Sequence, residues 1–365
     1  MTDISKRYEE KTGAGLRYGI IEVTSRCQLR CPGCYMVRRD KLGNGSMTLN
    51  QAVRILDLCR EYRGAELETM DILGGEPLLW PHLKEYIEIL ISRGIKPWVF
   101  TNMISITPEL AAWLYERRVH ITGKWNIADS NDPDQIRLQV QMIGSTVDMA
   151  RKMRTAIDVF CGVGYRDPLF RLQNLIRKDN IALVPDYIRF CRMRGIGVDL
   201  ELMGSGEPVG PEYFEVAPTP EELADLIRTL EHQGRDYMQS SASAMDDGLW
   251  PEFKNPRAAV LMPHLFGSCP FYDKGLYFAV DGSIRACSNS TVPLGHVDDP
   301  DPIRAAYESD LICSRLALTQ ETVGEPCGSC DRWDKCRGGC RATVEGMGDP
   351  CGGYTLCPLP HLKED

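Results

Sequence analysis

Short runs of β-branched and other apolar residues recur over the first 200 positions, separated by stretches in which apolar residues return every three or four places. The runs at 19–23, 69–73, 96–100, 119–122, 156–164 and 197–203 predict strands. The stretches at 48–63, 81–93, 107–118, 134–154 and 185–194 predict amphipathic helices. Such alternation predicts an α/β fold of six βα units, a parallel sheet with helices outside it. Several helix starts are marked chemically. Thr48 with Gln51 and Thr219 with Glu222 form capping-box patterns, and Pro108 and Pro220 each follow a capping Thr. Beyond position 203 the texture changes to a Gly/Pro-rich loop, a helix and a small polar segment, a bridging region over 204–263. The segment 275–285 then reads as a hairpin turning at Asp281-Gly282.

In parallel-sheet folds the reactive groups collect at the C-terminal ends of strands. Following the predicted strands are the loop of Cys27, Cys31 and Cys34, the turn Gly74-Gly75-Glu76-Pro77, Thr101-Asn102, Lys124-Trp125-Asn126, the segment 161–164, and Glu201. All are expected around one mouth. At such a strand end Cys161 is a candidate hydrogen-atom donor, with a buried structural thiol as the competing reading. Glu201 is a candidate for substrate hydrogen bonding or proton removal, with a solvated carboxylate as its counterpart. Of Asp199 and Glu201, taken as alternating, only one is expected to face the mouth.

Composition narrows the chemistry. The formal charge of −9 argues against nucleic acid or an anionic membrane as partner. No apolar run reaches membrane-spanning length and the N-terminal 17-residue tail has no signal-peptide core, so a cytoplasmic location is expected. In that reducing setting 15 cysteines point to metal or cluster ligation rather than disulfides. Three lie in the C-x3-C-x2-C loop and nine between Cys269 and Cys357. A [4Fe–4S] cluster normally takes four thiolates, so three leave one iron open. Zinc is the alternative, above all for Cys327-x2-Cys330-x5-Cys336-x3-Cys340, where C-x2-C pairs are common zinc spacings. The six histidines form no metal-binding pair, and Gly162-x-Gly164 lacks the rest of a dinucleotide loop.

With its cysteine loop followed one βα unit later by Gly74-Gly75-Glu76-Pro77, the chain resembles the radical S-adenosylmethionine (SAM) superfamily. The resemblance implies a partial (β/α)6 TIM-like barrel over 18–203. It implies a [4Fe–4S] cluster on Cys27, Cys31 and Cys34 whose open iron chelates SAM, fed by a flavodoxin- or ferredoxin-type electron donor. Gly74, Gly75, Glu76 and Pro77 would hold the SAM amino group, and Thr101 and Asn102 would lie beside the cofactor. Lys124 and Asn126 stand where the family often has a Ser or Asp near the ribose. Gly33 replaces the usual aromatic before the third cysteine, so Tyr35 or a backbone carbonyl is expected against the adenine.

The C-terminal cysteines, residues 264–365, resemble the SPASM domain, a small cysteine-rich unit that carries two auxiliary [4Fe–4S] clusters. Carried over by position, Cys327, Cys330, Cys336 and Cys357 would ligate the distal cluster, and Cys269, Cys287 and Cys340 the proximal one. Its fourth ligand is expected to be His264 or Cys351, or else an iron stays open. Members of this class oxidise, epimerise or crosslink either small metabolites or peptides. Only about 17 residues precede the first strand, too few for a folded peptide-recognition domain. This tilts the expectation toward a sugar- or aminocyclitol-type metabolite, with a peptide substrate and a non-catalytic zinc scaffold as alternatives.

Overall fold

The computed structural model describes residues 15–204, 211–240, 251–261, 269 and 274–362. Among them are nine strands: β1 (Tyr18–Glu22), β2 (Thr69–Leu73), β3 (Lys96–Thr101), β4 (His120–Lys124), β5 (Phe170–Ile176), β6 (Gly197–Leu202), β7 (Gly275–Phe278), β8 (Ser283–Arg285) and β9 (Gly295–His296). The longer helices are α1 (Leu49–Arg63), α2 (Leu83–Ser92), α3 (Pro108–Glu116), α4 (Pro133–Ile143), α5 (Val147–Gly162), α6 (Val184–Arg192) and α7 (Pro220–Ser240). None of the described helices is long and apolar enough to cross a membrane.

The chain forms two compact units that do not follow linear boundaries. Unit 1 comprises Met1–Lys124, Val140–Phe170 and Pro270–Thr319, and unit 2 comprises Trp125–Gln139, Arg171–Cys269 and Gln320–Asp365.

In unit 1, β1 to β4 pair in parallel in chain order. The hairpin of the cysteine-rich region extends this same sheet, since β7 pairs parallel with the free side of β1 and β8 returns antiparallel. Gly282, with φ +83°, supplies the left-handed residue of that turn. One face of the sheet is a dry layer of Ile21, Ile72, Val99 and Ile121, matched by Ile55, Ile87 and Leu114 of α1 to α3. Burying each of these contributes about 1.5–3 kcal/mol. The two-residue repeat sends Glu22, Asp71, Trp98, Phe100, Thr122 and Lys124 to the opposite face. Helix α1 begins with the expected reciprocal cap: Gln51 N donates to Thr48 Oγ1 at 3.2 Å and Thr48 N to Gln51 Oε1 at 2.8 Å.

In unit 2, β5 and β6 pair in parallel. Helix α7 opens with the second capping box, Thr219 N donating to Glu222 Oε2 at 2.7 Å.

Three expectations are corrected. The segment 156–164 is not a strand but the end of α5, whose buried Ala150, Met153, Ala156, Ile157 and Phe160 repeat at helical spacing. The fifth strand is β5, where Arg171, Gln173 and Leu175 alternate with buried positions. The predicted 134–154 helix is two helices, broken at Gly144, whose φ is +55°. Asp199 and Glu201 both lie on the half-buried face of β6, because residues two apart point the same way.

Candidate active site

The cysteine loop leaves the end of β1 and is gripped from two sides within unit 1. Gly75 N donates to Thr24 O at 2.7 Å and Glu76 N to Arg26 O at 2.7 Å. This approach requires the glycine pair: a Cβ on Gly74 would lie 2.5 Å from Thr24 O, and one on Gly75 2.4 Å from Arg26 O. On the other side Arg30 N donates to Ile143 O at 3.3 Å, and a Cβ on Gly144 would lie 2.0 Å from Arg30 O. Within the loop Cys34 N donates to Cys31 O at 3.0 Å, and Cys34 caps the helical turn Tyr35–Arg38. The three thiols are half-buried. Burial, above all, pushes Cys27 up to about 11 and Cys31 up to about 12. Thiols so placed are neutral at pH 7 unless a metal takes the proton's place. Cys27 Sγ accepts from Leu29 N at 3.4 Å and Asn102 Nδ2 at 3.7 Å, the kind of support that iron-bound thiolates receive. The donor set fits an iron–sulfur cluster.

Glu76 organises the strand ends. Its Oε1 accepts from Thr101 Oγ1 at 2.6 Å and Leu78 N at 3.0 Å, and its Oε2 from Asn102 N at 2.7 Å. It is fully buried, and burial pushes its carboxyl up to about 7 against these donors. Thr101 Oγ1 also accepts from Met103 N at 2.8 Å, and Asn102 Nδ2 donates to Gln28 Oε1 at 3.2 Å. Gln28 in turn donates to Ser105 Oγ at 2.6 Å. The Glu76 carboxylate thus ties the end of β2 to the end of β3. Pro77 is buried and starts a single 3₁₀ turn, Pro77–Leu79.

Lys124 ends β4, and its charge favours the Cys31 thiolate. Asn126, in unit 2, is committed internally: its Nδ2 donates to Gln139 Oε1 at 3.3 Å and its Oδ1 accepts from Leu175 N at 3.1 Å. Tyr35 is half-buried, with its hydroxyl 3.2 Å from that of Tyr277, which donates to the buried Glu22 carboxylate. Cys161 sits in the last turn of α5, so it lies at the edge where strands begin rather than at the mouth. There Arg166 Nη1 donates to Cys161 O at 2.9 Å, and Tyr165 Oη to Val119 O, just before β4, at 2.8 Å. Glu201 stands in the C-terminal half of β6.

Unit 2 gathers a second group of cysteines. Cys327, Cys330, Cys336 and Cys357 line one cavity of about 270 Å³ together with Trp333 and Tyr354. Tyr354 N donates to Cys327 Sγ at 3.3 Å, Arg332 N to Cys330 Sγ at 3.5 Å and Gly339 N to Cys336 Sγ at 3.3 Å. Burial pushes Cys336 up to about 11 and Cys357 up to about 12. Four thiols with backbone donors around one cavity fit a cubane cluster. Among the described residues no three His, Cys, Asp or Glu side chains converge as ligands of a single ion. Cys340 is buried but is not among the cavity's lining residues, and Cys351 is exposed. Cys269 is half-buried in unit 2 and Cys287 half-buried in unit 1, whereas His264 lies outside the described residues.

Sequence reasoning missed Gly144, whose signal was the Gly-Ser-Thr triplet inside a helical pattern, and Gln28, which carried none. It also missed Asp71. In the β-ladder Asp71 stands between Ile20 and Trp98 on the open face, with no hydrogen-bond or ion-pair partner among the described residues. Burial alone pushes it up to about 7.

The sequence profile of the radical SAM superfamily matches residues 21–124. A probable GTP 3′,8-cyclase of Methanocaldococcus jannaschii is 26% identical over 255 residues, 68% of this chain and 79% of that protein. The solved structure of anSMEcpe with bound AdoMet and the Cp18Cys peptide superposes with a TM-score of 0.69 at 15% identity, covering 95% of each chain. That of Streptococcus suis SuiB bound to precursor peptide SuiA gives 0.67 at 16% identity, covering 97% of this chain and 79% of that one. The three-cysteine loop and the Gly-Gly-Glu-Pro turn that grips it both fall within the segment that matches the radical SAM superfamily, and the chain shares its fold with the anSMEcpe and SuiB structures.

Proposed function

We propose that this enzyme abstracts a hydrogen atom from a small polar metabolite of sugar or aminocyclitol type and oxidises it, using three [4Fe–4S] clusters. Cys27, Cys31 and Cys34 would hold the SAM cluster. Cys327, Cys330, Cys336 and Cys357 would hold one auxiliary cluster, and Cys269, Cys287 and Cys340 would contribute to the other. When bound, these groups supply the electron that cleaves SAM to a 5′-deoxyadenosyl radical and a sink for the electron the substrate gives up. The chain's own part is placement. Gly74 and Gly75 let the turn close on the cysteine loop, Glu76 locks Thr101 and Asn102 against it, and Lys124 stabilises the Cys31 thiolate.

The observation carrying the substrate reading is the open sheet face of unit 1. Asp71 and Lys124 are half-buried there with Trp98 and Phe100, and Thr122 accepts from Trp98 Nε1 at 2.8 Å. Such a surface suits hydroxyl and amino groups better than an apolar side chain. Glu201 remains our candidate for taking a substrate proton. Cys161 lies in the last turn of α5, which supports oxidation over an epimerisation that would use that thiol. A peptide substrate is the second reading, supported by the peptides bound in the anSMEcpe and SuiB structures.

The test is deuterium transfer into 5′-deoxyadenosine from a deuterated extract, with its low-mass fraction assayed before and after protease digestion. Label that survives digestion is expected for a metabolite. Label lost on digestion would replace this reading with the peptide one.

A further inference from the structure

The open face of the unit 1 sheet carries two carboxylates, and the fold treats them differently. Glu22 and Asp71 alternate with the dry layer of Ile21 and Ile72, which puts both on the side away from α1 to α3. Glu22 is buried and satisfied: Tyr277 Oη donates to its Oε2, and Val280 N to its Oε1 at 3.4 Å. Asp71 is half-buried, and among the described residues no donor or cation reaches it.

All the neighbours that the register gives Asp71 belong to unit 1. Ile20 stands on one side of it and Trp98 on the other, with His120 beyond Trp98 in the same row. The indole of Trp98 is held from three directions. Its Nε1 donates to Thr122 Oγ1 at 2.8 Å, its ring stacks on Phe100 with centroids 6.1 Å apart, and the His120 ring lies 4.9 Å away. With its N–H committed to Thr122, Trp98 has its aromatic surface left for a ligand. A carboxylate between an aliphatic and an aromatic side chain has lost water without gaining a donor. A neutral hydroxyl offsets that loss only in part. An ammonium offsets it with a charge-assisted bond and is also drawn to an indole face, whereas a phosphate or carboxylate would be repelled.

We propose that Asp71 binds a protonated amine of the substrate, which is therefore an amine-bearing metabolite of aminocyclitol or amino-sugar type rather than a neutral sugar. The inference rests on the reading of this face as the substrate surface. Gly74 follows Asp71 by three residues, about 10 Å at the usual rise of a strand. An amine fixed at Asp71 thus leaves room for one small ring between itself and the turn that grips the cysteine loop.

The test uses the reconstituted full chain and the protease-treated low-mass fraction of a deuterated extract, split on a cation exchanger at neutral pH into a retained part and a flow-through. Deuterium in 5′-deoxyadenosine is expected from the retained part, and N-acetylation of that part should abolish it. In Asp71→Asn, at wild-type iron content, the amount of retained fraction giving half-maximal transfer should rise roughly tenfold or more, the usual worth of a hydrogen bond to a charged group. Asp71→Glu, which keeps the charge, should lose less. Should the variants not fold, the two wild-type arms decide. Label drawn from the flow-through overturns the proposal and leaves the metabolite reading in place, as does transfer that survives N-acetylation or that Asp71→Asn leaves unchanged. Label lost on protease digestion defeats the metabolite reading itself, and the proposal with it.

Discussion

Asp71 and Glu76 are both carboxyls that burial pushes up to about 7, yet they do different things. Glu76 is held by three donors, so its environment is specified down to each oxygen. Replacing Thr101 by Val leaves Glu76 Oε1 with Leu78 N alone and should cost about 1–3 kcal/mol in urea denaturation of the apo chain. Among the described residues Asp71 has no such donors. Its folded-state pKa lies above the ordinary value near 3.9, so the stability of the protonated carboxyl is fully present below about pH 4 and is lost as pH rises through about 7. Asp71→Asn mimics the neutral form. Thermal melts of the apo chain should show the Asn variant more stable at pH 8, the gap closing as pH falls toward 4. An equal gap at both ends would mean that Asp71 is not the titrating group.

At the scale of elements, Gly144 does what a helix interior cannot. It breaks α4 from α5 with a left-handed residue and lets Arg30 O approach. Gly144→Ala combines that clash with a strained backbone and should destabilise the apo chain by about 2–4 kcal/mol, read by chemical denaturation. Elements whose causes are local were legible in sequence. Strands β2 and β3, the caps at Thr48 and Thr219, and the Asp281-Gly282 turn all follow from neighbours a few residues apart. Gly144 was not, because the group it makes room for comes from the distant cysteine loop. The 156–164 segment misled for another reason. Its short apolar run fits both periods, and only the longer series from Ala150 to Phe160 identifies a helix. That error carried Cys161 to the wrong end of the sheet.

At the scale of the whole molecule, the three cysteines of the opening loop and the four around the unit 2 cavity were legible as groups, since their spacing constrains them. The interleaving of segments was not. The hairpin over 275–285 reads as part of the C-terminal region yet completes the sheet of unit 1, a pairing set by β1 far away in sequence. The two centres should also be separable. A Cys327→Ala/Cys330→Ala/Cys336→Ala/Cys357→Ala variant, reconstituted anaerobically, should bind about four irons fewer than the wild-type chain, on the usual four per cubane. It should still cleave SAM under dithionite. Iron unchanged in this variant would mean that the cavity holds no cluster. The central claim is radical SAM chemistry at Cys27, Cys31 and Cys34, and the most direct measurement is 5′-deoxyadenosine released from SAM by the reconstituted, dithionite-reduced full chain. The wild type should release it, and the Cys27→Ala/Cys31→Ala/Cys34→Ala variant should release none above background. Equal release by both, or none from iron-loaded wild type, would contradict the account.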